Sequence, residues 1–372
     1  MAKAFGIVSS SGANFQVKGM QEYRPISAFS FLGRYRVIDF PISNMSNSNI
    51  DRVHVYINSA RPRSLTEHLG SGRIYNINSK RGKLQMLFAN ADQMNTIYNT
   101  DIAGYIENLE IIERTHEDYV VITSDYMVFA QNFDELLNKH IESGADITML
   151  YHKTSTAKEH YLDCRALNLN KQKGVVSIEP NLGNTKDKNI SMDTYVMSKE
   201  LFIDLIKSAR KLSSVYTLAQ IINARIEELD VRAIQHKGFF AAITDLKSYF
   251  DSNMALLDIK KAEELIDPSW PIYTRTTDSC PTQFFEGSDV KNSFISNGCL
   301  IEGTVENSVI GRGCVIKKGA VVKNCVMLAY AEVGEGVHAE NQVIDKWSKI
   351  IRTKEVVSEA DNPGYVRRDD TL

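Results

Sequence analysis

Arg24, Arg34 and Arg36 lie close together in the stretch RPISAFSFLGRYR. A guanidinium is a planar fork of fixed donors, so such a cluster suits a phosphate or another anion, and equally an ion pair inside the fold. His68 follows shortly after Arg61 and Arg63, and a histidine in that setting either joins an anion site or simply packs. The five cysteines, Cys164, Cys280, Cys299, Cys314 and Cys325, are odd in number, widely spaced and without a CxxC pair. They read as reduced core thiols, not as metal ligands or disulfides.

These groups need a frame. The apolar runs Ala4 to Val8, Val53 to Ile57, Tyr119 to Thr123 and Ile147 to Tyr151 are short, β-branched and nearly continuous, as strands buried on both faces are. Between them, Ser64 to Leu69, Ile102 to Arg114, Phe133 to Ser143 and Ser198 to Ala209 carry helical periodicity. Strand and helix alternate, which predicts a doubly wound, mostly parallel α/β domain over residues 1–245. In such a sheet a ligand sits beyond the carboxyl ends of the strands, so Ser9 to Gln16 and the residues after Thr123 mark the expected site.

A helix from Leu246 to about Ile266 and a proline-bearing segment, Pro268 to Pro281, form a predicted helix and linker over 246–285. From there the pattern becomes a repeat. Ile295 and Ile301 are six apart, as are Ile310, Ile316 and Val322, and glycines 298, 303, 311, 313, 319, 334 and 336 punctuate the turns. Hexads of this kind predict a left-handed parallel β-helix over 286–372, with one apolar residue of each short strand pointing inward. Its ends and flat faces are natural association surfaces.

With 43% apolar and 24% charged residues the chain can bury a large core. A net charge of −3 with dispersed basic residues gives no general attraction to nucleic acid or to an anionic membrane. No run reaches the ~18 apolar residues of a membrane span, and the start has too short an apolar stretch for a signal peptide, so a cytoplasmic location is expected.

The stretch GRYRVIDFPISNMSNSNI, from Gly33 to Ile50, followed by a hexapeptide tail, resembles the glucose-1-phosphate adenylyltransferase (ADP-glucose pyrophosphorylase) family. Leu65 to Gly72 (LTEHLGSG), Asn189 to Val196 (NISMDTYV) and Asn292 to Gly303 (NSFISNGCLIEG) extend the likeness over nearly the whole chain. Within the family the chain looks most like the GlgD-type subunits, the non-catalytic partners of GlgC-type catalytic subunits. The resemblance implies a reaction in which a sugar-phosphate oxygen attacks the α-phosphorus of ATP, with charge building on the phosphoryl oxygens.

The residues expected to carry that reaction are largely replaced. A glycine-rich loop of GGxGTRL type should wrap the triphosphate, but Ile7 to Gln16 offers only Gly12 and no cation before Lys18. A basic position in the next segment falls on Ile26, and Thr100 to Tyr105 replaces a nucleotide-contact motif. Of two aspartates expected on Mg²⁺, Asp125 stands in place, as a metal ligand or as a turn cap, while Ala242 takes the second position, three residues before Asp245. Where a lysine should grip the sugar phosphate, Ser177 to Pro180 puts Glu179 or a gap, and a carboxylate there repels the phosphate. Ser191 remains as a candidate sugar contact or a structural serine. The resemblance places Arg24, Arg34 and Arg36 in the segment that carries part of the family's effector-anion site, with His68 as a further candidate from the helix after the second strand.

The expected function is therefore that of a non-catalytic or weakly active regulatory subunit. It would hold no cofactor of its own, Mg²⁺ belonging to the catalytic homologue. It would assemble with a GlgC-type subunit as a heterotetramer, respond to a phosphorylated effector and tune glycogen biosynthesis. The rivals are an active nucleotidyltransferase with a divergent site and a homo-oligomeric sugar-phosphate sensor. A hexapeptide acyltransferase would need a general-base histidine on the β-helix, where His338 is the only histidine.

Overall fold

The computed structural model describes residues 3–10, 15–17, 19–57, 61–77, 80, 82–88, 100–212 and 216–372. The chain forms two compact units, each assembled from separate stretches. The first comprises Met1–Phe15, Ile38–Phe240 and Pro268–Tyr273, and the second Gln16–Val37, Ala241–Asp267 and Thr274–Leu372.

In the first unit, Ala4–Ser9 lies between Val53–Ile57 and Tyr119–Ser124, parallel to both, and Leu84–Phe88 continues the parallel run. All six residues of Ala4–Ser9 are buried, which accounts for its unbroken apolar character. Lys188–Ser198 then enters antiparallel beside Tyr119–Ser124 and pairs in the same sense with Ile147–Thr154 and Arg165–Leu169. The sheet is thus mixed, its parallel part formed around the expected first strand. A buried cluster including Phe5, Ile7, Tyr105, Ile122, Phe202 and Leu205 packs on it.

Phe133–Ser143 is helical over the expected span, because Asn132 caps Asp134 N and Glu135 N and Gly144 ends it at a φ of +66°. The helix expected from Ile102 to Arg114 is instead two, Asp101–Glu107 and Leu109–Glu113. Asn108 breaks it by turning its side-chain amide onto the Gly104 carbonyl. The signature stretch contributes a helix the periodicity does not announce, Asp39–Asn47, with Pro41 tolerated in its first turn.

The second unit contains the repeat. Three five-stranded parallel sheets form the faces of the expected left-handed β-helix, one of them running Phe294–Ile295, Val309–Ile310, Val326–Met327, Gln342–Ile344 and Gly364–Val366. Ile301, Ile310, Ile316 and Val322 are fully buried in its interior, with Cys299, Cys314 and Cys325 among them. Ile295, on the first coil, is only half-buried. Cys164 is buried too, but Cys280 is exposed, since the segment carrying it has neither helix nor strand.

One corner of the β-helix stacks Gly298, Gly313, Tyr330 and Trp347 on successive coils, all at positive φ. A Cβ on Gly313 would fall 2.6 Å from the Tyr330 ring, so glycine lets that ring lie flat along the corner. Tyr330 stacks on Trp347 with centroids 5.8 Å apart, and Arg368 covers Trp347 at 4.8 Å.

The helix expected over Leu246 to Ile266 is broken into Leu246–Ala255 and Ile259–Leu265, with Asp258 capping the second through Lys260 N. A short hairpin, Ser30–Phe31 with Tyr35–Arg36, is held to the first of them: Tyr249 Oη donates to Ser30 O at 2.6 Å and Leu32 N to Asn253 Oδ1 at 2.9 Å. Among the described residues, no helix is long and apolar enough to cross a membrane.

Candidate functional site

The first unit has a hollow of about 420 Å³ at the far end of its mixed sheet. Its construction starts with a fault in one strand. Along Lys188–Ser198 the register to the neighbouring strand slips between Ser191 and Tyr195, and Asp193 takes a φ of +43° in the resulting bulge. The bulge aims a fully buried carboxylate at Arg165 and Tyr126: Arg165 Nη1 donates to Asp193 Oδ2 at 2.8 Å and Tyr126 Oη at 2.7 Å. Tyr195 Oη reaches Oδ1 at 3.4 Å.

The groups of this cluster shift one another's protonation. Burial opposes the Arg165 cation, but Asp193 first, then Tyr195, Tyr126 and Asp101, hold its pKa above the usual value. Burial, followed by the Asp193 charge, raises the phenols of Tyr126 and Tyr195 well above theirs. Asp101 is buried and its pKa rises to about 6, although Arg165 and the amides of Leu218 and Ile102 pull it back down. Nothing in the sequence pairs Arg165 with Asp193. The one available signal was an aspartate inside an otherwise buried strand, since such a residue is seldom left without a partner.

Ser191 is buried beside this bulge, and its Oγ accepts Asp193 N at 3.2 Å. Glu179 stands on the exposed wall of the hollow and accepts from Ser177 Oγ. Asp125 follows the strand Tyr119–Ser124, its amide donating to Ser9 O at 3.0 Å. Thr100 caps the helix Asp101–Glu107 through Ala103 N. Residues 11–14 of the expected phosphate loop lie outside the described residues, as does Lys18.

The donor set does not suit the Mg²⁺ that the resemblance implies. Ala242 is a buried methyl with no side-chain oxygen to offer. Asp245, the nearest carboxylate in sequence, caps the helix Leu246–Ala255: its Oδ1 accepts Ser248 N at 2.7 Å while Ser248 Oγ accepts Asp245 N at 2.9 Å. Mg²⁺ calls for several oxygens in near-octahedral array. Among the described residues, no group of three His, Cys, Asp or Glu side chains is placed to hold a metal.

The arginine cluster belongs to the second unit and divides in three. Arg24 is buried and its Nη2 bonds both oxygens of Asp345, at 2.5 and 2.6 Å, while its Nε and Nη1 are buried without a hydrogen-bond partner among the described residues. Arg36 lies in the short hairpin and acts on Lys346, whose pKa falls to about 7 through burial and then the charges of Arg36, Arg24 and Arg368. Lys346 went unnoticed in the sequence because it sits in a β-helix turn far from the arginines. Arg34 is exposed over the Tyr35 ring and lines a different hollow, of about 370 Å³, with Arg312. His68, in the first unit, is buried, with Nε2 2.6 Å from Asp39 Oδ1, an oxygen that also accepts from Tyr75 Oη at 2.7 Å.

Comparison with known proteins agrees with both halves of this architecture. Residues 6–259 match the nucleotidyl transferase family, and residues 281–368 match the GlmU-like C-terminal hexapeptide family. The chain is similar to the glycogen biosynthesis protein GlgD of Geobacillus stearothermophilus, at 31% identity over 86% of this chain and 83% of that one. It is also similar to GlgD of Bacillus subtilis (strain 168), at 27% identity over 98% and 95% of the two chains. A glucose-1-phosphate adenylyltransferase of Fervidobacterium nodosum is 28% identical over 92% of this chain and 83% of its own. The chain therefore belongs to the nucleotidyl transferase family, in the group that holds the glucose-1-phosphate adenylyltransferases and the GlgD proteins.

Proposed function

We propose that this chain is a non-catalytic or weakly active regulatory subunit of a glucose-1-phosphate adenylyltransferase. In this reading it acts in the cytoplasm, assembles with a catalytic GlgC-type homologue as a heterotetramer and tunes ADP-glucose synthesis from ATP and glucose 1-phosphate in glycogen biosynthesis. The observation that carries the reading is the combination of Ala242 with a committed Asp245: one expected metal position has no carboxylate, and the carboxylate three residues on is held by a helix cap. The names of the relatives support the process, and the β-helix supplies faces suited to a homologous subunit.

A regulatory role requires contacts that differ between the active and inactive states of the partner. A phosphorylated effector fits the region of Arg36 and Lys346, where an arriving anion would favour the protonated lysine. The test is to purify the chain free of the catalytic subunit, then mix the two in equal amounts. Co-elution, with a changed maximal rate, substrate affinity or effector response, is the expected result. Two separately eluting species with unaltered kinetics would overturn it, as would ordinary turnover by the chain alone.

A further inference from the structure

The hollow of the first unit is walled by groups that do not match a phosphorylated ligand. Arg165 is the one cation among its described lining residues, and it is already bonded to the buried Asp193. Asp163 and Glu179, both exposed, are the carboxylates of the wall itself, while Asp193 is buried beneath it and reaches it only through its bond to Arg165. Three carboxylates against one guanidinium leave the region with a net negative charge, which opposes a phosphate dianion.

The rest of the lining favours hydroxyl groups. Asn223 Oδ1 is occupied by Ile178 N at 2.7 Å, which leaves its amide nitrogen as a donor on the wall. Carboxylates accept from hydroxyls strongly, and Phe15 packed on Tyr126, with centroids 5.0 Å apart, adds an apolar patch. A concave site of about 420 Å³ falls within the ~300–1,000 Å³ of small-molecule sites.

We infer that Asp193 is a built-in anion that fills the Arg165 seat, so that the hollow selects a neutral polyhydroxylated ligand, a sugar without its phosphate. The left-handed bulge is the device: it presses a carboxylate of the chain onto the cation that an incoming phosphate would need. Asp193 is then a specificity-determining residue acting by occupancy. The inference rests on the reading that this chain does not itself turn over a sugar phosphate.

Equilibrium binding by calorimetry and ligand-observed NMR, with methyl α-glucoside and glucose 1-phosphate as probes, tests it. The wild-type chain should bind the glucoside at least about tenfold tighter than glucose 1-phosphate, the equivalent of ~1.4 kcal/mol. Asp193→Asn keeps the side-chain shape and tolerates a positive φ, and should tighten glucose 1-phosphate about tenfold relative to the glucoside. Should that variant fold poorly, Glu179→Lys on the exposed wall should produce the same gain without touching the buried pair. Equal affinity of the wild type for both probes, binding of neither, or an unmoved ratio in the variants overturns this inference alone. Turnover of glucose 1-phosphate with ATP by the pure wild-type chain overturns the proposed function as well.

Discussion

Arg24 and Asp345, 321 residues apart in the chain, form a buried ion pair in which one guanidinium nitrogen bonds both carboxylate oxygens. Tyr365 Oη donates to Asp345 Oδ2 at 2.7 Å, and the Arg24 guanidinium lies 5.8 Å from the Phe29 ring centroid. A contact of this sequence span costs much loop entropy to close, yet it fastens an N-terminal segment into the unit that also contains the β-helix.

Removing one partner of this pair leaves a buried, uncompensated charge. Arg24→Met or Asp345→Asn is expected to cost ~3–5 kcal/mol, while Arg24→Met combined with Asp345→Leu costs clearly less, because apolar groups replace both charges. Urea unfolding of the three variants measures this. A loss under ~1 kcal/mol in both single variants would show that the pair is relaxed by water.

Lys346 makes stability depend on alkaline pH. Its folded pKa of about 7 lies well below the ~10.4 of an unfolded lysine. Between those values the unfolded chain holds a proton that the folded chain has released, so this group's contribution to stability rises with pH and its penalty is complete below the window. Lys346→Met should therefore raise Tm more at pH 6.5 than at pH 9.5. An equal shift at both would show that Lys346 titrates normally.

Gly33 sits at a φ of +65°, and a Cβ there would lie 2.6 Å from Ser296 Oγ and 2.8 Å from the Ile310 carbonyl oxygen. The serine can rotate, but the backbone carbonyl cannot yield without moving a β-helix strand. Gly33→Ala is expected to lose ~1–3 kcal/mol from backbone strain alone, with the clash adding to it. Thermal unfolding that matches the wild type would refute the close approach.

Returning a carboxylate to position 242 should not restore synthesis of ADP-glucose. An aspartate at this buried site meets a partner set still lacking the phosphate-loop cations and the sugar-phosphate lysine, so the triphosphate stays unpositioned. Ala242→Asp, assayed with ATP, glucose 1-phosphate and Mg²⁺, is expected to remain at trace rates. Turnover of ~1 per second or more would show that a single metal ligand was all that was missing.

The parts of the fold that could be read from sequence are those governed by local rules. Phe133–Ser143 was legible because its apolar stripe, its Asn132 cap and its terminal Gly144 agree, and the β-helix because each hexad repeats the same inward residue. Helix breaks at Asn108 and near Asp258 were not, since a side chain competing with the backbone leaves the periodicity intact. The candidate site was only partly legible. Motifs in the sequence draw attention to Ser191 and Glu179, whereas Asp193 reaches Arg165 through a change of strand register, which no spacing in the sequence encodes.

The aromatic corner of the β-helix also has a spectroscopic consequence. The chain has two tryptophans, one in each compact unit. Trp270 donates its indole N–H to Asn44 Oδ1, whereas Trp347 lies between a stacked phenol and a guanidinium. Two indoles in such unlike surroundings emit differently, so Trp270→Phe and Trp347→Phe turn ordinary fluorescence into a separate optical channel for the melting of each unit.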